Sequence, residues 1–143
     1  MIFSKMKTFY VFFIYLTTLH LSAYNQTITE SCFTSISCDD FNFIMETEEV
    51  LIIDVRLLRE FRKERINGAV LASGREALIQ ILEKINKRTN IMIYCEEGDR
   101  SLIAAEIVCK ELKFNNVYNL REGIIQWKKK GYPLDKTRIN KHK

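Results

Sequence analysis

At 143 residues, with 47% apolar side chains and a single proline, the chain is long enough to bury one hydrophobic core and too apolar to remain disordered. Its net charge of +4 shrinks once Lys5 and Lys7 of an N-terminal targeting segment are set aside, and a balance that small argues for neither nucleic-acid nor membrane-surface binding by the domain as a whole. The sequence holds no internal repeat and no low-complexity tract.

Residues 1–23 are predicted to form a signal peptide. Lys5 and Lys7 precede the apolar run Phe9 to Leu21, and Ser22-Ala23 offers a small residue for cleavage after Ala23. The run is short for a bilayer span, which needs about 20 apolar residues. Export to a periplasmic or extracellular compartment is therefore expected, with a membrane anchor formed by uncleaved residues 9–21 as the alternative. Residues 24–35 are mostly polar and read as a flexible leader.

Ser37 is placed to cap a short helix with Asp39 and Asp40 in its first turn and Phe41, Ile44 and Met45 on its apolar side. Val50 to Val55 is apolar except for Asp54, as expected of a buried parallel strand. A charged helical turn over Leu58 to Glu64 and a short strand over Gly68 to Ala72 follow. Ser73 is the expected cap of the next helix, where Leu78, Ile79, Leu82 and Ile85 recur at helical spacing. Ile91 to Tyr94 is a strand, and Leu102 to Leu112 a helix with Ile103, Ile107, Val108 and Leu112 as its apolar stripe. Asn116 to Leu120 is a further strand. Gly123 to Lys130 is a last helix, closed by Gly131-Tyr132-Pro133. Strands alternating with helices predict an α/β domain with a parallel sheet of about five strands flanked by helices. The tail 136–143 is basic, and it and Lys128-Lys129-Lys130 are expected to be solvated.

Chemistry concentrates in Cys95-Glu96-Glu97-Gly98-Asp99-Arg100-Ser101, between the strand ending at Tyr94 and the helix that follows. In parallel sheets ligands bind at the C-terminal ends of strands. A cysteine there, on a loop opening a helix, meets backbone N–H groups and the positive end of the helix dipole, which favour thiolate over thiol. Gly98 lets the loop bend, and Arg100 adds a positive charge near the sulfur. Asp54 and Arg56, at the end of an adjacent strand, either support this loop by hydrogen bonds or form an ordinary strand-end ion pair.

Of the other cysteines, Cys32 and Cys38 are close enough in sequence to pair with each other, and could also reach Cys95 as resolving thiols. Cys109, beside Ile107 and Val108, reads as a small core residue, and Trp127 as core. No zinc spacing is present, and of the two histidines His20 lies in the expected signal peptide and His142 in the tail, so neither a metal site nor a Cys-His pair is expected, and no cofactor.

The chain resembles the rhodanese-like domain family of sulfurtransferases over residues 36–135. Four pieces carry the resemblance: Leu51 to Arg56 with Glu60-Phe61; Ile66-Asn67-Gly68-Ala69; Cys95 to Ser101; and Asn119 to Gly123 through Trp127 to Tyr132-Pro133. It implies a single-domain sulfurtransferase whose Cys95 thiolate takes the outer sulfur of a donor as a persulfide and passes it to a thiol or cyanide-like acceptor, or exchanges it with a persulfide-bearing protein. Arg100 would hold the loop's shape or stabilise charge, and Ser101 would cap the following helix. Four residues separate Cys95 from Arg100, where related phosphatases carry one more, and the shorter loop suits one sulfur atom. A non-catalytic binding module and a thiol redox protein pairing Cys95 with Cys32 or Cys38 are the alternatives.

The sequence departs from the family pattern. Glu96, Glu97 and Asp99 make the loop acidic; if they face the pocket they repel a dianion, and thiosulfate is then a poor donor. Asn67 stands where proline is usual, Arg65 where histidine is usual, and Glu122 where a first glycine is usual.

Overall fold

The computed structural model describes residues 31–137. The expected signal peptide, most of the leader and most of the basic tail lie outside the described residues. Among the described residues seven strands are formed: β1 (Thr34–Ile36), β2 (Val50–Asp54), β3 (Arg65–Ile66), β4 (Val70–Leu71), β5 (Asn90–Tyr94), β6 (Val117–Leu120) and β7 (Leu134–Asp135). The helices are α1 (Cys38–Thr47), α2 (Leu58–Lys63), α3 (Arg75–Leu82), α4 (Asp99–Glu106) and α5 (Gly123–Lys129), with a π-helical turn at Ile107–Glu111 prolonging α4. Five strands pair in the order β1-β6-β5-β2-β4, every pairing parallel, and β3 pairs antiparallel with β7 in a small separate ribbon.

Strand pleating divides the core in two, because successive side chains leave a strand on opposite faces. Ile53, Ile91 and Ile93 meet Leu78 and Leu82 of α3 and Ala104 and Ala105 of α4. Ile52, Met92 and Tyr94 meet Phe41 of α1 and Ile124 and Trp127 of α5. Both faces of β2 and β5 are covered, which is why these strands are apolar runs rather than alternations. Trp127 stands edge-on to Phe41 at 5.9 Å, lies against Tyr132 at 4.5 Å, and donates its indole N–H to the Pro133 carbonyl at 3.0 Å. Ser37 caps α1 as expected, its hydroxyl accepting from the Asp40 N–H at 3.2 Å.

Four local expectations are corrected. The end of the expected leader is not free: Thr34 to Ile36 form β1 against β6, anchored by Phe33, which packs on the α3/α4 side of the core. Ser73 does not cap α3; Gly74 does, in a backbone conformation (φ +104°) that L side chains avoid. The inward face of α4 is built from Ser101, Ala104 and Ala105, with Val108 and Cys109 following, because small residues let the helix lie close to the sheet. Leu102 and Ile103 are left 46% and 63% exposed, although Ile103 was expected in the apolar stripe.

The fourth correction concerns Cys109. It is buried, as expected, but it forms a disulfide with Cys32 across 77 residues, with Cα atoms 5.8 Å apart. The pairing follows from β1, which carries Phe33 and its neighbour Cys32 to the cluster that holds Cys109. Cys32→Ser and Cys109→Ser are each expected to lower the unfolding free energy by about 2–4 kcal/mol, since the bond closes a long loop in the unfolded chain. Urea unfolding checks this: reductant should bring the wild type to the variants' midpoint and leave the variants unmoved.

Candidate active site

The end of β5 hands the chain to a tight loop. Cys95 follows Tyr94 directly, and α4 begins at Asp99 with Gly98 as its N-cap. Gly98 is left-handed (φ +107°), and a Cβ there would sit 1.9 Å from the Arg121 carbonyl oxygen. A Cβ on Gly123 (φ +62°) would sit 2.3 Å from the Glu96 carbonyl oxygen. These two glycines interlock the loop with the β6–α5 turn. Backbone bonds complete the clasp: Ile124 N–H donates to the Cys95 carbonyl at 2.9 Å and Ile125 N–H to the Glu96 carbonyl at 3.2 Å. Glu122, the replaced glycine, has φ −98° at the N-cap of α5, so no glycine is required there; the close approach falls on Gly123.

With the loop's carbonyls engaged from outside, donors turn toward the sulfur. Gly98 N–H donates to Cys95 Sγ at 3.1 Å, and the Ser101 hydroxyl lies 3.4 Å from Sγ and 3.0 Å from the Gly98 carbonyl. Ser101 was expected as a helix cap; it stands inside the first turn of α4 instead, buried under the loop. Asp99 Oδ1 accepts from the Cys95 thiol at 3.5 Å. The Asp99 carboxyl is held below the usual carboxylate range, first by the Arg100 N–H and then by the Cys95 thiol.

The three acidic residues of the loop have different surroundings. Glu97 is exposed. Glu96 accepts from Arg56 Nη1 at 3.1 Å and lies 3.9 Å from Lys128 Nζ. Asp99 alone meets the sulfur. Arg100 does not meet it; the guanidinium reaches across to Glu60 of α2 at 3.3 Å. Burial acts to raise the Glu60 carboxyl, but bonding to Arg100 and the Leu57 N–H leaves it below its ordinary value.

Asp54 and Arg56 form more than a strand-end pair. Arg56 Nε donates to both Asp54 oxygens at 3.0 Å, Nη2 donates to Asp54 Oδ2 at 2.8 Å and to the Glu64 carbonyl at 2.6 Å, and Nη1 reaches Glu96. Burial acts to lower the Arg56 pKa, yet the Asp54 carboxylate outweighs it and holds the guanidinium charged. Tyr94 donates its hydroxyl to Asp54 Oδ2 at 2.6 Å and accepts from the Ile66 N–H at 3.1 Å. Burial, then Asp54, raises the Tyr94 pKa, so it stays a neutral donor. Glu64 extends the network to Lys128 at 2.8 Å. The pairing of Arg100 with Glu60 and the parts of Tyr94, Glu64 and Lys128 escaped the sequence reading; only Glu60 stood in a recognised motif.

The remaining departures are accommodated in place. Arg65 is buried in β3, pairs with Asp135 of β7 and lies over the Phe61 ring at 5.0 Å, while Asn67 is exposed. Cys38 is buried at the start of α1, and burial followed by Glu122 raises its thiol pKa. Cys32, expected to be available to Cys38 or Cys95, is bound to Cys109, to which β1 carries it. Among the described residues no cluster of His, Cys, Asp and Glu could hold a metal ion.

A thiol cradled at the C-terminal end of a central parallel strand, under an arginine-bearing loop that caps a helix, defines a cysteine-loop α/β domain. Comparison with known proteins narrows the class. The family model for the rhodanese-like domain matches residues 37–130. A sulfurtransferase of Allochromatium vinosum is 33% identical over 91 residues, 64% of this chain and 83% of that protein. A tRNA uridine(34) hydroxylase of Bartonella bacilliformis is 27% identical over 100 residues, and the match spans only 32% of that protein. Among solved structures, a thiosulfate sulfurtransferase of Pseudomonas aeruginosa shares the fold with a TM-score of 0.66 at 24% identity, over 74% of this chain and 21% of that one. A rhodanese-like domain protein of Staphylococcus aureus aligns with a TM-score of 0.56 at 27% identity, over 66% of this chain and 90% of that one. The chain belongs to the rhodanese-like domain family, the family of sulfurtransferases.

Proposed function

We propose that the protein is an exported sulfurtransferase that carries sulfur as a persulfide on Cys95 and takes it from an organic persulfide, a polysulfide or a persulfide-bearing protein rather than from thiosulfate. The observation that carries this reading is the Gly98 N–H donating to Sγ at 3.1 Å, with the Ser101 hydroxyl, whose one proton the Gly98 carbonyl also receives, 3.4 Å from the same sulfur. The thiolate attacks the outer sulfur of R–S–SH. The Sγ–S bond forms as the donor S–S bond breaks, and its electron pair leaves on R–S⁻, which takes up the proton released by Cys95. A thiolate or cyanide acceptor then attacks the bound sulfur and returns Cys95 as thiolate. Oxidation levels balance without a cofactor, and no nucleic acid is involved. Export is supported by the Cys32–Cys109 disulfide, since such bonds persist outside the cytoplasm.

The Asp99 carboxylate sets the donor preference. At 3.5 Å from Sγ it repels an arriving dianion, whereas Glu96 is turned to Arg56 and Lys128 and Glu97 is exposed to water. Asp99 is exposed, so solvent and salt screen the repulsion and keep its effect modest. Asp99→Asn is therefore expected to raise kcat/KM for thiosulfate about tenfold and to change turnover of a neutral organic persulfide by less than about twofold. Steady-state assays with both donors check this. Efficient wild-type use of thiosulfate, unmoved by the substitution, would refute the donor assignment.

A further inference from the structure

We propose that a cavity of about 280 Å³ between α3 and α4 binds the apolar substituent of an organosulfur substrate, the R group of an R–S–SH donor or an R–SH acceptor. The proposal rests on the persulfide role given to Cys95. Its walls are Val55, Ala72, Leu78, Ile103, Ala104 and Ile107. Gly74 and two guanidiniums complete the lining, and each guanidinium is engaged with a carboxylate: Arg100 with Glu60 at 3.3 Å, and Arg75 with Glu111 at 2.9 Å. With both lining guanidiniums paired and the walls otherwise aliphatic, the space suits an uncharged group.

Its position ties it to the sulfur chemistry. Val55 N–H donates to the carbonyl of Tyr94, the residue before Cys95, at 3.1 Å. Arg100 and Ala104 lie on successive turns of the helix that the cysteine loop opens. The cavity therefore flanks the loop on the α3/α4 side. Ile103 explains itself here. A large aliphatic side chain left 63% exposed, against the expectation that it faces the core, gains burial once a hydrocarbon enters beside it. The volume lies at the small end of ligand pockets and suits roughly four to eight carbon atoms.

The test is an acceptor series. Cys95 is loaded with inorganic polysulfide, and sulfur transfer to straight-chain alkanethiols from ethanethiol to hexanethiol is measured, with cyanide as an acceptor that has no substituent. Alkanethiols of different length have near-equal basicity, so the series reports contact rather than nucleophilicity. The expected result is a rise in kcat/KM of about three- to fourfold per methylene, a several-fold smaller hexanethiol-to-ethanethiol ratio in Ile103→Ser, and an unchanged ratio in Phe43→Ser, an equally exposed apolar position on α1. A flat series with normal transfer to cyanide overturns the subsite and leaves the persulfide role standing. A rising series that Ile103→Ser does not alter places the contact elsewhere and also overturns it. Absence of transfer to every acceptor, cyanide included, overturns the persulfide role and the subsite with it.

Discussion

Gly98→Ala is expected to reduce sulfur loading of Cys95 more than about a hundredfold. The new Cβ would lie 1.9 Å from the Arg121 carbonyl oxygen, a backbone atom that cannot swing aside. Relief requires the loop to leave the β6–α5 turn by about 1 Å, and displacements of that size in a reacting group cost on the order of 10² in rate. The same movement carries the Gly98 N–H away from Sγ, removing the donor at 3.1 Å. Gly123→Ala attacks the interlock from its other side, through the Glu96 carbonyl, and should behave alike. Gly68→Ala is the control: its φ is also positive, +77°, but a Cβ there meets nothing within 4 Å. It should cost about 1 kcal/mol of stability through backbone strain and leave loading intact. Sulfur incorporation by the purified variants decides. Loading retained in Gly98→Ala would show that the clasp does not position the sulfur.

Arg56→Met is expected to destabilise the fold by about 3–5 kcal/mol, because it strands the Asp54 carboxylate in the interior. Asp54 is fully buried and Arg56 is 2% exposed; the guanidinium gives the carboxylate three hydrogen bonds, the Arg56 backbone N–H a fourth and the Tyr94 hydroxyl a fifth. The substitution also frees Glu96, so the loop loses its tie to β2. Arg75→Ala, which breaks an ion pair on the exposed faces of α3 and the π-helical turn, should leave the unfolding midpoint almost unmoved. Urea unfolding of the two variants gives the comparison. A loss below 1 kcal/mol for Arg56→Met would remove the buried pair as the scaffold beneath the loop.

Much of this was legible in the sequence because local and global signals agree. Ser37 with Asp39 and Asp40 marks a helix start, and the apolar runs at Val50 and Ile91 mark doubly covered strands; each stands where expected. The cysteine loop was legible because its glycine and its strand-to-helix junction state the same geometry. What escaped depends on partners distant in sequence. β1 is three residues long and exists through pairing with β6, more than eighty residues on. The partner of Cys109 follows from that pairing, and nothing near either cysteine announces it. Arg100 looked like a charge for the sulfur, yet its guanidinium goes to Glu60, which α2 brings alongside from forty residues away. Ile103 misled because helical periodicity expects large side chains inward, while Ala104 and Ala105 took the contact with the sheet. The acidic loop could be read only as three like charges; the fold separates them into one paired, one solvated and one facing the sulfur.

The central claim is that Cys95 carries sulfur, and peptide mass spectrometry of the reduced protein tests it most directly. The protein is exposed to polysulfide and, separately, to thiosulfate. One added sulfur on Cys95 is expected after polysulfide, much less after thiosulfate, and none in Cys95→Ser. No adduct from either donor, with Cys95 recovered in a disulfide to Cys38, would contradict the persulfide role and leave a thiol redox protein on this scaffold.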